Sequence, residues 1–281
     1  MKIIRDINEL KKKLVGIRES GKSVGLVPTM GFLHAGHLSL VKESQRQTGF
    51  TVMSIFVNPM QFGAGEDYDD YPRDLESDRK KAEEIGCDLI FYPRVGDMYP
   101  KGYCTFVNVE GISEPLCGNW RPGHFQGVTT VVAKLFNIVE PEKAFFGQKD
   151  AQQCAVIRRM AEDLNMKVEV IVCPTVREED GLAMSSRNAY LSSGERARAV
   201  LLIDTLISAR EMILNGEKNA SRIKEYMVKS VEDEPLASLD YAEVVDNRDL
   251  KEKAEIEGEV LLALAVKFGK TRLIDNLVVE V

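Results

Sequence analysis

The sequence predicts an α/β chain: a doubly wound parallel sheet followed by a smaller α+β domain. Two observations carry that expectation. Between about residues 24 and 174, short apolar runs alternate with segments of helical periodicity. Strands that are almost continuously apolar belong to a parallel sheet covered on both faces. After about residue 175 the alternation stops, and two helical segments precede three strand-like runs joined by short connections. That is the pattern of a small antiparallel sheet. The expected domains are 1–175 and 176–281.

Each element has its own signal. Asp6, with Glu9 three residues on, forms a capping-box pattern. Ile7, Leu10, Leu14 and Ile17 follow on one helical stripe, and Gly21 ends it. VGLV (24–27), too short for a helix and closed by Pro28, reads as a buried strand. A helix starts near Gly36. TVMSIFV (51–57) is a strand, DLESDRKKAEEIG (74–86) a charged surface helix, and CDLIFYP (87–93) a further strand. Val128, Val131, Val132, Leu135, Phe136 and Val139 recur at helical spacing within 124–139, a buried helix. KAFFG (143–147) is a strand, DAQQCAVIRRMAEDL (150–164) a helix and VEVIVCP (168–174) a strand. Beyond the junction, Ser192 and Glu195 open a long helix that ends at Asn215-Gly216. A second helix covers about 220–231, and DYAEVV (240–245), VLLALAVKF (260–268) and RLIDNLVVEV (272–281) are strands.

Composition narrows the class. The 281 residues are 44% hydrophobic and 29% charged, ordinary for a globular protein that buries a core. A net charge of −7 disfavours a nucleic-acid partner, which needs a basic face. The five cysteines (87, 104, 117, 154 and 173) are odd in number and scattered, with no C-x-x-C. They indicate free thiols rather than a disulfide framework or a zinc site. The opening residues MKIIRDINEL carry charge early and lack an apolar signal core, and the longest apolar run, VLLALAV (260–266), is far too short to span a bilayer. The expectation is a cytoplasmic protein without a membrane partner.

A doubly wound sheet binds ligands at the carboxyl ends of its strands. Chemistry is therefore expected in the loops after Val27, Val57, Phe146 and Val172. One motif conflicts with this. GIRESGKS (16–23) fits the phosphate-loop pattern G-x-x-x-x-G-K-[ST]. A phosphate loop leaves a strand and enters a helix, so that backbone N–H groups converge on phosphate. This stretch leaves a helix and enters a strand, and the match is read as coincidence.

The chain has three histidines, His34, His37 and His124. PTMGFLHAGHLSLV (28–41) places two of them just after the first apolar strand. Gly31 and Gly36 leave the backbone open to approach. The helix starting near Gly36 turns its positive end into the same crevice. Two imidazoles, free N–H groups and a helix start suit an anion, naturally a polyphosphate. The competing reading is a polar turn whose histidines satisfy their neighbours. A metal site is disfavoured because no nearby carboxylate or thiol completes a ligand set.

HAGH (34–37) is similar to the H-x-G-H signature of the adenylyl-transferring superfamily. AMSSRN (183–188) resembles its later K-M-S-K-S-type loop, with Arg187 as the cation and Ser185 and Ser186 as hydroxyl donors. VPTMGFLHAGH (27–37), IFVNPMQFGAGEDYDDYPR (55–73), FFGQKDAQQ (145–153) and PTVREEDGLAMSSRNAYLS (174–192) together resemble the pantothenate synthetase family. The resemblance implies ATP-dependent joining of pantoate to β-alanine through a pantoyl-adenylate, with magnesium accompanying ATP, in a homodimer.

Carried over residue by residue, the resemblance assigns Met30, Gly31, His34, Gly36 and His37 to the first ATP segment, with His37 in an acid role and His34 beside the phosphates. Gly147, Gln148, Lys149 and Asp150 form the second, Lys149 toward phosphate and Asp150 toward ribose. Val176, Met184, Ser185, Ser186 and Arg187 complete the nucleotide pocket. His34, His37, Lys149 and Arg187 are the expected catalytic groups. Gln61 and Gln153 match the amides that hold pantoate, with Gln61 also toward β-alanine. His124, in RPGHFQGV, matches the phosphate side. In the helix after YPR, where some relatives carry paired acids, the stretch is LESDRKK (75–81), and Asp78 is the one counterpart offered to a magnesium ion.

Plainer readings stand beside these. Lys149 and Arg187 are by default surface charges. Gln61 and Gln153 have the alternative of ordinary polar positions, and Trp120 that of a packing residue. Glu66, Asp67, Asp69 and Asp70 read as a solvated acidic loop. The alternative enzyme is another H-x-G-H adenylyltransferase acting on a phosphorylated acceptor, whose adenylylated product would persist. A non-catalytic nucleotide-binding module would release no pyrophosphate. A tRNA synthetase is disfavoured by the acidic balance.

Overall fold

The computed structural model describes all 281 residues. Six strands form one parallel sheet: β1 (Lys2–Ile4), β2 (Val24–Thr29), β3 (Phe50–Ile55), β4 (Leu89–Phe91), β5 (Lys143–Gly147) and β6 (Glu169–Cys173). Their spatial order is β1-β4-β3-β2-β5-β6, and every neighbouring pair is parallel. The connecting helices are α1 (Ile7–Glu19), α2 (Ala35–Gln47), α3 (Leu75–Glu84), the short α4 (Val95–Met98) and α5 (Cys117–Trp120), α6 (His124–Val139) and α7 (Ala151–Asp163).

Side-chain alternation divides the sheet between two cores. Val24, Leu26, Val52, Leu89, Phe91 and Phe146 pack with α1, α6 and α7. Val27, Met53, Ile55, Ile90 and Phe145 pack on the opposite face with Val41 of α2 and Ala82 of α3. The period of two along each strand makes this division automatic once both faces are covered. From β2 the chain winds outward through β3 to β4, then crosses to β5 on the other side of β2. The carboxyl ends of β2 and β5 thus flank the point where winding reverses, the place where such sheets leave a crevice.

The remainder holds α8 (Ser193–Arg198), α9 (Leu201–Leu214) and α10 (Ala220–Glu232). They are followed by an antiparallel sheet of β7 (Ala237–Asp246), β8 (Glu259–Phe268) and β9 (Thr271–Glu280) in that order. One face of this sheet packs on α9 and α10 through Leu206, Ile223, Met227, Leu264 and Leu273. From the other, Tyr241 and Ile274 reach the core of the parallel sheet. No helix is long and apolar enough to cross a membrane.

Several elements depart from expectation, the short helices α4 and α5 among them. The edge strand β1 is only three residues long, and pairing with β4 rather than periodicity defines it. The long helix after Ser192 is two helices, tightened at Ala199 and Val200 into i→i+3 bonds from Leu202 and Ile203. Residues 16–23 leave α1 and enter β2 as read, at the amino edge of the sheet.

Candidate active site

The loop from β2 to α2 is strained and clamped. Gly31 and Phe32 both have positive φ, 87° and 51°. At Gly31 a Cβ would stand 2.8 Å from Asp78 Oδ2, so only glycine fits. Asp78, on α3, accepts the backbone N–H groups of Phe32 at 2.8 Å and Leu33 at 2.7 Å. Lys81, one turn on, donates to Leu33 O at 2.7 Å. Strain at a site persists when its surroundings over-determine it, and these three bonds do so. Asp78 is the residue that the resemblance offers to magnesium. Both carboxylate oxygens hold loop backbone, and the side chain faces a separate recess rather than the cavity of the histidines.

His34 is the N-cap of α2 and His37 its third residue. His34 Nδ1 accepts from Gly36 N–H at 3.2 Å, and His37 Nδ1 accepts from His34 N–H at 3.3 Å, a capping box built from imidazoles. With Nδ1 accepting in both rings, the proton of each neutral imidazole sits on Nε2. Burial lowers the His34 pKa to about 4, aided by the positive charge of Lys149. Burial lowers that of His37 to about 3, aided by His34 and then Lys149. The pair therefore presents neutral N–H donors at the positive end of α2.

The 3₁₀ turn Pro59–Gln61 after β3 carries Gln61. It lies directly on α6 because residue 127 is glycine, where a Cβ would meet Met60 O at 2.1 Å. Buried Asn58 ties the turn down. Its Nδ2 donates to Gly127 O and Gln61 Oε1, each at 3.1 Å, and its Oδ1 accepts from Met60 N–H at 3.2 Å and Tyr99 O–H at 2.8 Å. His124, at the start of α6, donates through Nδ1 to Gln61 O at 2.8 Å and faces Arg121 Nη1 through Nε2 at 3.0 Å. Arginine only donates, so Nε2 accepts and the ring is neutral. Burial lowers its pKa to about 4, with Arg121 adding to the effect. Arg121 also grips Glu66 with two bonds of 2.6 and 2.7 Å.

After β5, a 3₁₀ turn presents Lys149 and Asp150, and Gln153 follows in the first turn of α7. Gln148 turns away and bonds Asn276 of β9 at 3.0 Å. After β6, Met184 N–H bonds Val176 O at 3.0 Å and folds 176–184 into a narrow loop. Ser185 caps the next turn by accepting from Arg187 N–H at 3.2 Å. Ser186 Oγ lies 3.3 Å from Tyr71 OH, and Arg187 forms a bidentate pair with Asp67 at 2.9 and 3.0 Å.

These groups line one cavity of about 230 Å³: Met30, His34, Gly36, His37, Gln61, His124, Gly147, Lys149, Asp150, Gln153, Val176 and Met184 to Arg187. Val128, Val131, Val132, Leu135 and Phe146 give it an apolar wall. It shares Arg121, His124, Lys149, Asp150, Gln153, Ser185 and Arg187 with an adjoining cleft of about 520 Å³ between the two sheets. Ser54 Oγ and Thr175 Oγ1, both on cavity-lining residues, are buried with no partner in the protein. Of the expected residues, Gly31, Gln148 and Asp78 do not line the cavity. The sequence reading missed Asn58, Tyr71 and Arg121, whose roles depend on partners distant in sequence. It also read Glu66 and Asp67 as solvated, whereas each pairs with a cavity arginine.

The model of the pantoate-beta-alanine ligase family matches residues 2–278. The pantothenate synthetase of Acetivibrio thermocellus is 59% identical over 281 residues, covering 100% of both chains. That of Caldicellulosiruptor bescii is 55% identical, covering 100% of this chain and 99% of the relative. The crystal structure of the Thermus thermophilus pantothenate synthetase superposes with a TM-score of 0.94 at 46% identity, over 99% of each chain. A pantoate-beta-alanine ligase from Francisella tularensis, complexed with beta-gamma ATP and β-alanine, gives 0.74 at 33% identity, over 99% of this chain and 97% of that one. Matched by its model almost end to end, and by relatives more than half identical over their whole length, the chain belongs to the pantoate–β-alanine ligase family.

Proposed function

We propose that this chain joins pantoate to β-alanine with ATP, releasing pyrophosphate and AMP, and that a pantoyl-adenylate links the two steps. The observation that carries the reading is the convergence of His34, His37, Lys149 and Arg187 with Gln61 and Gln153 on one partly apolar cavity. A carboxylate and an amine form a salt in water, so the acid must first gain a leaving group. A pantoate carboxylate oxygen attacks the α-phosphorus, an O–P bond forms, and the bond to pyrophosphate breaks. Charge builds on phosphoryl oxygens in that step, and the protein's task is positioning and electrostatic stabilisation. The neutral Nε2–H groups of His34 and His37, the Lys149 ammonium and the Arg187 guanidinium suit it. The free amine of β-alanine then attacks the acyl carbon, the C–N bond forms and AMP leaves.

Met30, Gly36 and Gly147 would line the nucleotide's path, with Gly31 and Gln148 setting the turns beside it from outside the cavity. Asp150 would take the ribose, and Val176 with Met184 would flank the base, between Ser185, Ser186 and Arg187. Gln61 and Gln153 would hold pantoate against the valines of α6, with Gln61 reaching toward β-alanine. His124 is proposed for the phosphate side. The ligands in the Francisella tularensis structure support ATP and β-alanine as substrates.

Magnesium would enter on the nucleotide, neutralising phosphate charge when bound. Asp78 is committed to loop backbone, and no group of three or more His, Cys, Asp or Glu side chains has a metal-binding arrangement. Magnesium held chiefly by phosphates and water needs no such cage. The division into 1–175 and 176–281, the second acting as a lid, belongs to the same proposal, as do the homodimer and a cytoplasmic location, which free thiols suit.

The test is release of pyrophosphate and AMP with pantoate and β-alanine supplied separately and together. Pyrophosphate release that needs pantoate alone, and pantothenate that needs all three substrates, are the expected results. Release with neither acid nor amine, or an adenylylated product that persists beside β-alanine, would overturn it.

A further inference from the structure

Asp275 and Asn276 are adjacent on β9, the outer strand of the second sheet, and both are almost fully buried. Consecutive strand residues face opposite ways, and these two hold different segments. Asn276 Nδ2 donates to the carbonyls of Gln148 and Lys149, each at 3.0 Å, and Oδ1 accepts from Gln148 Nε2 at 3.0 Å. Both donors of the amide are spent on the backbone from which Lys149 projects. Asp275 receives both Nη atoms of Arg177 at 2.7 and 3.0 Å, and Arg177 Nη1 also reaches Gly181 O at 3.0 Å. Arg177 stands at the base of the loop that leads to Arg187 and bridges to Ala183 across it. One dipeptide of the second domain therefore grips both segments that bring cations to the cavity, while lining only the adjoining cleft itself.

We infer that Asn276, seated beside Asp275, is a positioning residue for the nucleotide: it fixes the base of Lys149 relative to the loop carrying Arg187. The inference rests on the phosphate-binding role proposed for Lys149 and Arg187. A lysine is a point charge on a flexible stem, so its aim depends on the backbone beneath it. A displacement near 1 Å at such a group is enough to cost ~10²-fold in rate. Asn276 supplies the fixed backbone from across the domain junction.

The test measures binding of magnesium-ATP and of pantoate separately, by calorimetry on the full chain. Asn276→Ala is expected to weaken ATP about tenfold, the effect of one or two lost hydrogen bonds, and to leave pantoate affinity unchanged. Added to Lys149→Ala, it should cost much less than in the wild-type background, because the two act through one group. Asn276→Asp keeps size and one acceptor but replaces both donors with a repelling charge. It should show the same selective loss if Asn276→Ala does not fold. Equal weakening of both ligands, full additivity with Lys149→Ala, or unchanged ATP affinity in Asn276→Asp would overturn the inference. A wild-type chain that binds no ATP would overturn the proposed function first. ATP binding that responds to Lys149→Ala but to neither Asn276 variant sinks this inference alone.

Discussion

At the scale of single residues, the three imidazoles set the site's response to pH. Each has its pKa lowered by burial from 6.5, His34 and His124 to about 4 and His37 to about 3. Between those values the unfolded chain binds more protons than the folded one, so acid favours unfolding. The contribution of these rings is full above about pH 6.5 and is lost as pH falls toward 3 to 4. In an NMR titration of the folded, ligand-free protein, none of the three rings should titrate near 6.5; a ring that does is not buried neutral as described. The same neutrality bears on the role proposed for His37. The resemblance casts it as an acid; we propose instead that its neutral Nε2–H donates to the charge that develops in the proposed adenylation. His37→Ala should slow pantoyl-adenylate formation by ~10²-fold or more, the usual cost of such a donor, with little change in ATP binding. The second half-reaction, started from preformed adenylate, should be affected less, because pyrophosphate has already left. Equal slowing of both in single-turnover measurements would remove His37 from this role.

At the scale of elements, placement on the sheet separates useful motifs from accidental ones. Lys22 of the false phosphate loop lies just before β2, whose six residues span about 20 Å to the carboxyl edge. Lys22→Ala should leave ATP affinity unchanged in a direct titration, and a large loss would mean the amino edge binds nucleotide. The turn that carries Gln61 depends on Gly127. The Cβ of Gly127→Ala would meet Met60 O at 2.1 Å and force the turn off α6. We expect ~1–3 kcal/mol of destabilisation, as for other overpacked cores, and a several-fold rise in the KM for pantoate with ATP binding spared. An unchanged pantoate KM in the folded variant would separate Gln61 from the pantoate pocket. These elements also show what was legible. Every strand of the parallel sheet that packs on both faces announced itself by composition, while β1, three residues at an edge, did not. HAGH was readable because its chemistry is local. Arg121 with Glu66, Arg187 with Asp67, and Asn276 with Lys149 were not, because 55, 120 and 127 residues separate the partners and no local period encodes them.

At the scale of the molecule, residues of the second sheet and of the acidic loop line the cleft that adjoins the cavity. Three contacts join that loop to the segment that follows the 176–184 loop. Asp67 pairs with Arg187 at 2.9 Å, Tyr71 meets Ser186 at 3.3 Å, and Tyr190 O–H donates to Asp70 O at 3.3 Å. A mixed anhydride must be shielded from water until the amine arrives, and closing elements serve that purpose. The loop is well placed for it, since it spans from the end of β3 to the residues carrying Ser185 and Arg187. Asp67→Ala removes both bonds of the ion pair without touching the histidines, Lys149 or Gln61. The expected result is uncoupling. With ATP and pantoate but no β-alanine, steady AMP release should rise above the wild-type level as adenylate is lost to water. With all substrates present, more than one AMP should form per pantothenate. An AMP-to-pantothenate ratio that stays at one, with catalysis slowed or not, would show that the Asp67–Arg187 pair does not hold the cavity closed against water.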